Sequence, residues 1–141
     1  MKNKKKYSLS LEKKEEVLGL IKAYLQSCQS ILFAYAHGSF MEDRLLFEDI
    51  DIAVFFDDHD IHDDILDLCL ELSVHLSALV HLPVDVHALN DSHAGFCYEV
   101  TRDKLLLSRD EDISFDFTER TRLLYFDLKF LITENLKDLL V

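Results

Sequence analysis

The chain has 141 residues, 49% of them hydrophobic, which predicts one domain spanning residues 1–141 and excludes an intrinsically disordered protein. Only three glycines and one proline occur, which excludes collagen-like and low-complexity proteins. Four of the fifteen basic residues lie in the first six positions, so the remaining chain carries 11 basic against 27 acidic side chains, a net charge of −16 that disfavours direct binding of DNA or RNA.

The N-terminal segment combines a basic cluster with a predicted helix. Residues 1–7 are predicted to form a flexible basic tail, and no apolar segment of the kind found in signal peptides follows it. Ser10 is a suitable N-cap for a helix over residues 11–27, whose apolar residues recur at helical spacing. No apolar run approaches the roughly 20 residues that cross a bilayer. These features predict a cytoplasmic protein that contacts no membrane.

The rest of the sequence alternates short apolar runs with helical repeats. Strands are predicted at residues 31–36, 49–56, 84–88 and 104–107. Helices are predicted over about 61–80 and 111–139, the second with a break in its pattern near 115–118. Residues 93–100 show neither the alternation typical of a strand nor the 3.6-residue repeat of a helix, and they remain unassigned. This order predicts an α/β or α+β domain, in which helices flank a small mixed β-sheet.

The last predicted helix is apolar around most of its circumference. Most of the circumference is covered by eight apolar or aromatic residues, namely Leu123, Leu124, Tyr125, Phe126, Leu128, Phe130, Leu131 and Ile132. One face serves the core, and the surplus is consistent with a surface for a partner protein. Complete burial within the domain is the alternative, and the sequence does not decide between them.

A pair of aspartates stands out on the second predicted strand. Asp49 and Asp51 are two positions apart, which places them on the same face of a strand, while Ile50 and Ile52 lie on the other. Two carboxylates on a buried strand repel each other unless a cation lies between them. Divalent ions with oxygen ligands suit such a pair. Asp85 has a similar apolar setting and could converge with it if the two strands are neighbours.

Gly38-Ser39 ends the first predicted strand, nine residues before Asp49. A glycine there allows backbone N–H groups to approach a phosphate, and the serine hydroxyl can add a hydrogen bond. Among the seven histidines, His37 is a candidate for contact with a nucleotide, and His87 shares a strand face with Asp85. No set of histidines and cysteines has a familiar zinc spacing.

Gly38-Ser39, a short spacer, Asp49-Ile50-Asp51 and a later Asp85 resemble the signature of the polymerase-β-like nucleotidyltransferases. The length and the aromatic C-terminal segment are similar to those of the minimal nucleotidyltransferases, the MntA-like antitoxins paired with HEPN-domain toxins. The resemblance covers about residues 15–140. It implies the polymerase-β-like nucleotidyltransferase fold.

This resemblance also implies roles for the five residues. Gly38 and Ser39 would hold the triphosphate of ATP, Asp49, Asp51 and Asp85 would bind two Mg²⁺ ions, and Asp85 would help activate the attacking hydroxyl. Members of the family transfer AMP from ATP to a tyrosine of the HEPN toxin and so silence its RNase activity, in a complex of the two proteins. The alternative is a non-catalytic antitoxin that neutralises a basic toxin by stoichiometric binding through its acidic surface.

Overall fold

The computed structural model describes residues 5–43, 46–59 and 64–140. Its helices and strands alternate along the chain. In chain order they are α1 (Leu11–Gln26), β1 (Ile31–His37), a 3₁₀ turn (Ser39–Met41), β2 (Ile50–Phe56), α2 (Ile65–Val80), β3 (Val84–Ala88), α3 (Ala94–Thr101), β4 (Lys104–Ser108) and α4 (Glu111–Leu140).

The four strands form one sheet in the order β3-β2-β1-β4. β1 is antiparallel to both of its neighbours, β2 and β4, whereas β3 is parallel to β2. The parallel pair requires a crossover, and α2 supplies it. The predicted mixed sheet with flanking helices is therefore confirmed.

The two faces of the sheet are covered by different helices. One face carries Ala34, Ile52 and Val86, which belong to the larger core together with Leu25 of α1 and Leu76 of α2. The opposite face carries a smaller core, formed by Phe33, Tyr35, Ala53, Leu89, Cys97 and Val100. The last two of these belong to α3. The smaller core does not extend to the end of the sheet where β1 ends and β2 begins, and polar residues lie on this face there.

Side-chain caps explain where the helices begin. The Ser10 hydroxyl accepts a hydrogen bond from the backbone N–H of Lys13, which confirms the predicted N-cap of α1. Asp64 caps α2 in the same way, and the predicted start of that helix at 61 lies outside the described residues. His93 caps α3 through Nδ1, and the rest of the unassigned stretch, residues 94–100, is helical.

Two local expectations are corrected. Tyr7, which was assigned to a flexible tail, exchanges two backbone hydrogen bonds with Phe47, with N···O distances of 2.8 and 3.0 Å. Its ring also lies 6.0 Å from that of Phe47. The predicted break near 115–118 is absent, because α4 runs continuously for 30 residues.

The C-terminal half of α4 projects away from the core. No described residue beyond Thr121 in this helix is buried. The sequence leaves open whether the domain covers this helix completely. The structure shows that it does not, because ten apolar residues are exposed, namely Leu123, Leu124, Phe126, Leu128, Phe130, Leu131, Ile132, Leu136, Leu139 and Leu140. Within the described part of the chain, no helix is long and apolar enough to span a bilayer.

Candidate nucleotidyltransferase site

The polar residues at the open end of the sheet form a row across three strands. His37 of β1 pairs with Asp51 of β2, and Asp51 pairs with Asp85 of β3. Paired residues on neighbouring strands point to the same face of a sheet. This register therefore brings together residues that are up to 48 positions apart in sequence.

Asp51, Asp85 and His87 form the tightest cluster of metal-binding side chains. One ligand atom from each lies within 4.8 Å of the other two. Nε2 of His87 is 2.9 Å from Oδ2 of Asp85, and both side chains are half exposed. His87 lies two residues beyond Asp85, so the strand geometry places both side chains on the same face.

Gly38 lies directly against this cluster. Its φ of +82° and ψ of −163° belong to a backbone region that is essentially restricted to glycine. A Cβ at this position would overlap Oδ2 of Asp51 and would lie 3.1 Å from its Cγ. The glycine is therefore needed both for the turn and for the space that the Asp51 carboxylate occupies.

Ser39 and Asp49 line a neighbouring pocket of about 270 Å³, together with Phe47 and Glu48. Asp49 lies one residue before β2 begins, and it is outside the cluster formed by Asp51, Asp85 and His87. The structure thus places oxygens of two of the three predicted carboxylates, Asp51 and Asp85, within 4.8 Å of each other. The third borders the pocket that contains the predicted phosphate-binding serine.

A buried lysine supports the turn that carries Ser39. Lys14 of α1 donates a hydrogen bond from Nζ to the backbone carbonyl of Phe40 at 2.9 Å. The same ammonium lies 5.0 Å from the ring centroid of Phe40 and 5.4 Å from that of Phe47, distances typical of cation–π contacts. Nothing in the sequence distinguishes Lys14 from the exposed lysines of α1, because the residues it contacts, Phe40 and Phe47, come from distant segments.

His37 closes the row on the β1 side. Burial, together with the nearby imidazole of His87, lowers the pKa of His37 to about 4, although Asp85 acts in the opposite direction. Among the described residues, its Nε2 is the only buried side-chain nitrogen or oxygen without a hydrogen-bond partner. The ring of Phe96 in α3 packs against both His37 and His87, with centroid distances of 5.6 and 6.1 Å.

The donor set fits a divalent metal ion. Two carboxylates and an imidazole provide hard and intermediate ligands, and the space beside Asp51 is kept open by a glycine without a Cβ. The half exposure of Asp85 and His87 leaves the cluster accessible to a substrate phosphate. Asp51 and Asp85 are the carboxylates that would hold the ion.

Comparison with known families agrees with this geometry. The family described as polymerase beta, nucleotidyltransferase, matches residues 20–112, which include every residue of the row and cluster. This chain belongs to the polymerase β nucleotidyltransferase family. No curated protein sequence matches the chain significantly.

Solved structures with the same nucleotidyltransferase fold include antitoxins. An MntA–HepT toxin–antitoxin structure has 19% identity and a TM-score of 0.63, covering 94% of this chain and 100% of the other. The MNT antitoxin bound to a tri-AMPylated HEPN toxin of Shewanella oneidensis has 21% identity and a TM-score of 0.62, covering 88% and 99%. A toxin–antitoxin structure with AMP-PNP has 22% identity and a TM-score of 0.63, covering 94% and 100%. At these identities, the similarity shows a shared fold.

The geometry of this cluster is compatible with in-line transfer at a phosphorus. A divalent ion held here would neutralise charge on the phosphates as the leaving group departs. Asp51 is fixed on a central strand with Gly38 packed against it. Asp85 is half exposed and can accept a proton from an approaching hydroxyl. Phe96 and the smaller core behind the row fix the orientation of the strands that carry these groups.

Proposed function

We propose that this nucleotidyltransferase is the antitoxin of a toxin–antitoxin pair, and that it transfers AMP from ATP to a tyrosine of a HEPN-domain RNase toxin. The observation that carries the proposal is the Asp51–Asp85 pair beside Gly38-Ser39, on a fold shared with antitoxins solved with a tri-AMPylated toxin and with AMP-PNP. AMP transfer to the toxin would inactivate its RNase activity.

The chemistry of the transfer assigns a role to each residue. The tyrosine oxygen bonds to the α-phosphorus of ATP, the bond from that phosphorus to the β-phosphate oxygen breaks, and pyrophosphate leaves. Asp85 takes the phenolic proton, and a cation bound beside the phenol oxygen would ease this transfer by lowering the tyrosine pKa from its ordinary value of about 10. Gly38 and Ser39 bind the triphosphate, and Asp49, Asp51 and Asp85 provide the ligands for two Mg²⁺ ions.

The direct test uses the purified chain, the HEPN-domain protein encoded beside it, Mg²⁺ and ATP labelled in the α-phosphate. We expect label on a toxin tyrosine and loss of RNase activity. Asp51→Asn and Asp85→Asn should each slow labelling by at least about 100-fold, because each removes a charge aimed at the reacting phosphate. Asp116→Asn, on the exposed surface of α4, is the matched control. Labelling at the normal rate by Asp51→Asn would contradict the assigned site.

Asp49 requires a separate measurement, because it borders the Ser39 pocket and not the tight cluster. Asp49→Asn should also slow labelling if it binds the second ion. If Asp49→Asn retains the full rate while Asp51→Asn loses it, the metal ligands are confined to Asp51 and Asp85 and their neighbours.

A second candidate function is neutralisation without catalysis. The exposed apolar residues of the C-terminal half of α4 favour it, because they offer a large surface to a partner. In that case Asp51→Asn would still neutralise the toxin, and only at equal amounts of the two proteins. If this chain neutralises the toxin when present at a small fraction of the toxin concentration, and only with ATP, this candidate is excluded as the main mechanism.

A further inference from the structure

His87 is placed among the groups that bind the metal, although the family signature in this sequence ends at Asp85. One ring nitrogen of His87 and one carboxylate oxygen from each of Asp51 and Asp85 lie within 4.8 Å of one another. We propose that His87 is a direct ligand of the ion held by Asp51 and Asp85, and that this position consequently prefers Mn²⁺ to Mg²⁺. The inference rests on the proposed function for its biological meaning, but the binding itself needs neither ATP nor toxin.

The distance between the His87 and Asp85 ligand atoms matches that of two neighbouring ligands on one ion. Two atoms in adjacent positions of an octahedron with bonds of about 2.1 Å are about 3 Å apart. Nε2 of His87 and Oδ2 of Asp85 are 2.9 Å apart. An ion could therefore be bound by both atoms with little rearrangement of β3, which is fixed by parallel pairing to β2 on one side.

The surroundings hold the imidazole in place. The edge-on contact with Phe96 of α3 limits rotation of the His87 ring, and Phe96 itself packs against the smaller core. Ligands that are oriented before the metal arrives bind it more tightly, because less conformational entropy is lost on binding.

The type of ligand determines which ion is preferred. Mg²⁺ is bound almost entirely by oxygen and releases its water reluctantly, so an imidazole adds little to its binding. Mn²⁺ also accepts carboxylates and phosphates in octahedral geometry, and as a first-row transition ion it gains more from nitrogen. Two carboxylates with one histidine thus allow octahedral coordination of a phosphate-bound ion. The histidine shifts the preference from Mg²⁺ towards Mn²⁺.

A simpler role for His87 is to hold Asp85 by a hydrogen bond without contacting the ion. The two roles predict different results for His87→Val, a substitution compatible with a strand. Loss of a ligand weakens Mn²⁺ binding selectively. Loss of a hydrogen bond to Asp85 weakens Mg²⁺ and Mn²⁺ binding equally, since both ions use the same carboxylate.

The experiment measures Mn²⁺ and Mg²⁺ binding to the full chain by calorimetry, and records the electron spin-echo modulation of bound Mn²⁺. We expect His87→Val to lower Mn²⁺ affinity by about tenfold or more, with less than about a twofold change for Mg²⁺. Nitrogen modulation should be present in the wild type and in His37→Gln, and absent in His87→Val. His59→Gln, an exposed histidine beyond the opposite end of β2, is the control.

Each outcome separates this inference from the proposed function. Absence of nitrogen modulation in the wild type, or equal losses for the two ions in His87→Val, would overturn the role of His87 as a ligand. Neither result would contradict the proposed transfer of AMP by the wild-type protein with Mg²⁺. Conversely, selective Mn²⁺ binding through nitrogen would stand even if no toxin labelling were found.

Discussion

Gly38 and Asp51 are in such close contact that any side chain at position 38 requires the Asp51 carboxylate to move. The missing Cβ would overlap the Asp51 carboxylate, and the backbone at Gly38 has a positive φ of 82°. The residue that directly follows β1 therefore limits where the Asp51 carboxylate near the start of β2 can lie. Two parts of the sequence signature, Gly38 and Asp51, thus depend on each other sterically, because the carboxylate occupies the space that a Cβ would fill.

Gly38→Ala should disable the site by displacing Asp51. We expect divalent ion affinity and nucleotidyl transfer to fall by at least about tenfold, as with other losses of ligand orientation. The alanine should also lower the free energy of unfolding by about 1–3 kcal/mol, because this backbone conformation is strained for any residue with a Cβ. Calorimetric titration with the ion and urea unfolding measure the two effects.

Gly19→Ala is the matched control for that substitution. Gly19 lies within α1, is exposed, and would place its Cβ in open space. Alanine there should raise the free energy of unfolding by about 0.5–1 kcal/mol, since glycine is a poor helix former. An equal loss of metal affinity in both alanine variants would contradict the steric account of Gly38.

Lys14 should act on catalysis through the turn that carries Ser39. Lys14→Met keeps the aliphatic stem but leaves the Phe40 carbonyl without its buried donor, which should cost about 1–3 kcal/mol of unfolding free energy. We expect KM for ATP to rise more than kcat falls, because Ser39 is predicted to bind phosphate. Lys13→Met, which removes an exposed lysine of the same helix, should change neither KM nor stability.

His37 should make the folded protein less stable in mild acid. Its pKa is about 4 in the folded state against an ordinary 6.5, so between these values the unfolded chain binds a proton that the folded protein excludes. Its contribution to the free energy of unfolding therefore declines as the pH falls from about 6.5 to about 4 and is constant outside that interval. His37→Gln should reduce this pH dependence in urea unfolding measured from pH 7 to pH 4. An unchanged profile would contradict the assignment.

The C-terminal half of α4 should contribute to partner binding more than to folding. Phe130→Asp replaces a 64% exposed ring, so the free energy of unfolding should change by no more than about 0.5 kcal/mol. Binding to the HEPN-domain toxin should weaken by about tenfold or more if this ring is buried at the interface. Leu70→Asp, a substitution of an exposed leucine on α2, is the control, and biosensor measurement of the complex compares the two variants.

The sequence was sufficient for the parts of the fold that local patterns determine. The strand positions followed from apolar runs, and the start of α1 followed from Ser10. The His93 cap was missed because histidine is an uncommon cap, and α3 therefore remained unassigned. The continuity of α4 was missed because its pattern near 115–118 serves contacts with other elements, including the hydrogen-bonded pair Tyr35 and Thr118.

The sequence by itself determined the chemistry available at the site, since the glycine, serine and aspartates are visible at their spacing. Strand periodicity further predicted that Asp85 and His87 share a face. Only the tertiary structure decided that Asp51 lies beside Asp85 and His37, because strand order and register depend on how distant segments pack. It also decided that Asp49 lies outside the tight cluster and that Lys14 is buried. The reason is that tertiary packing sets which side chains meet across the fold, and spacing along the chain does not encode that packing.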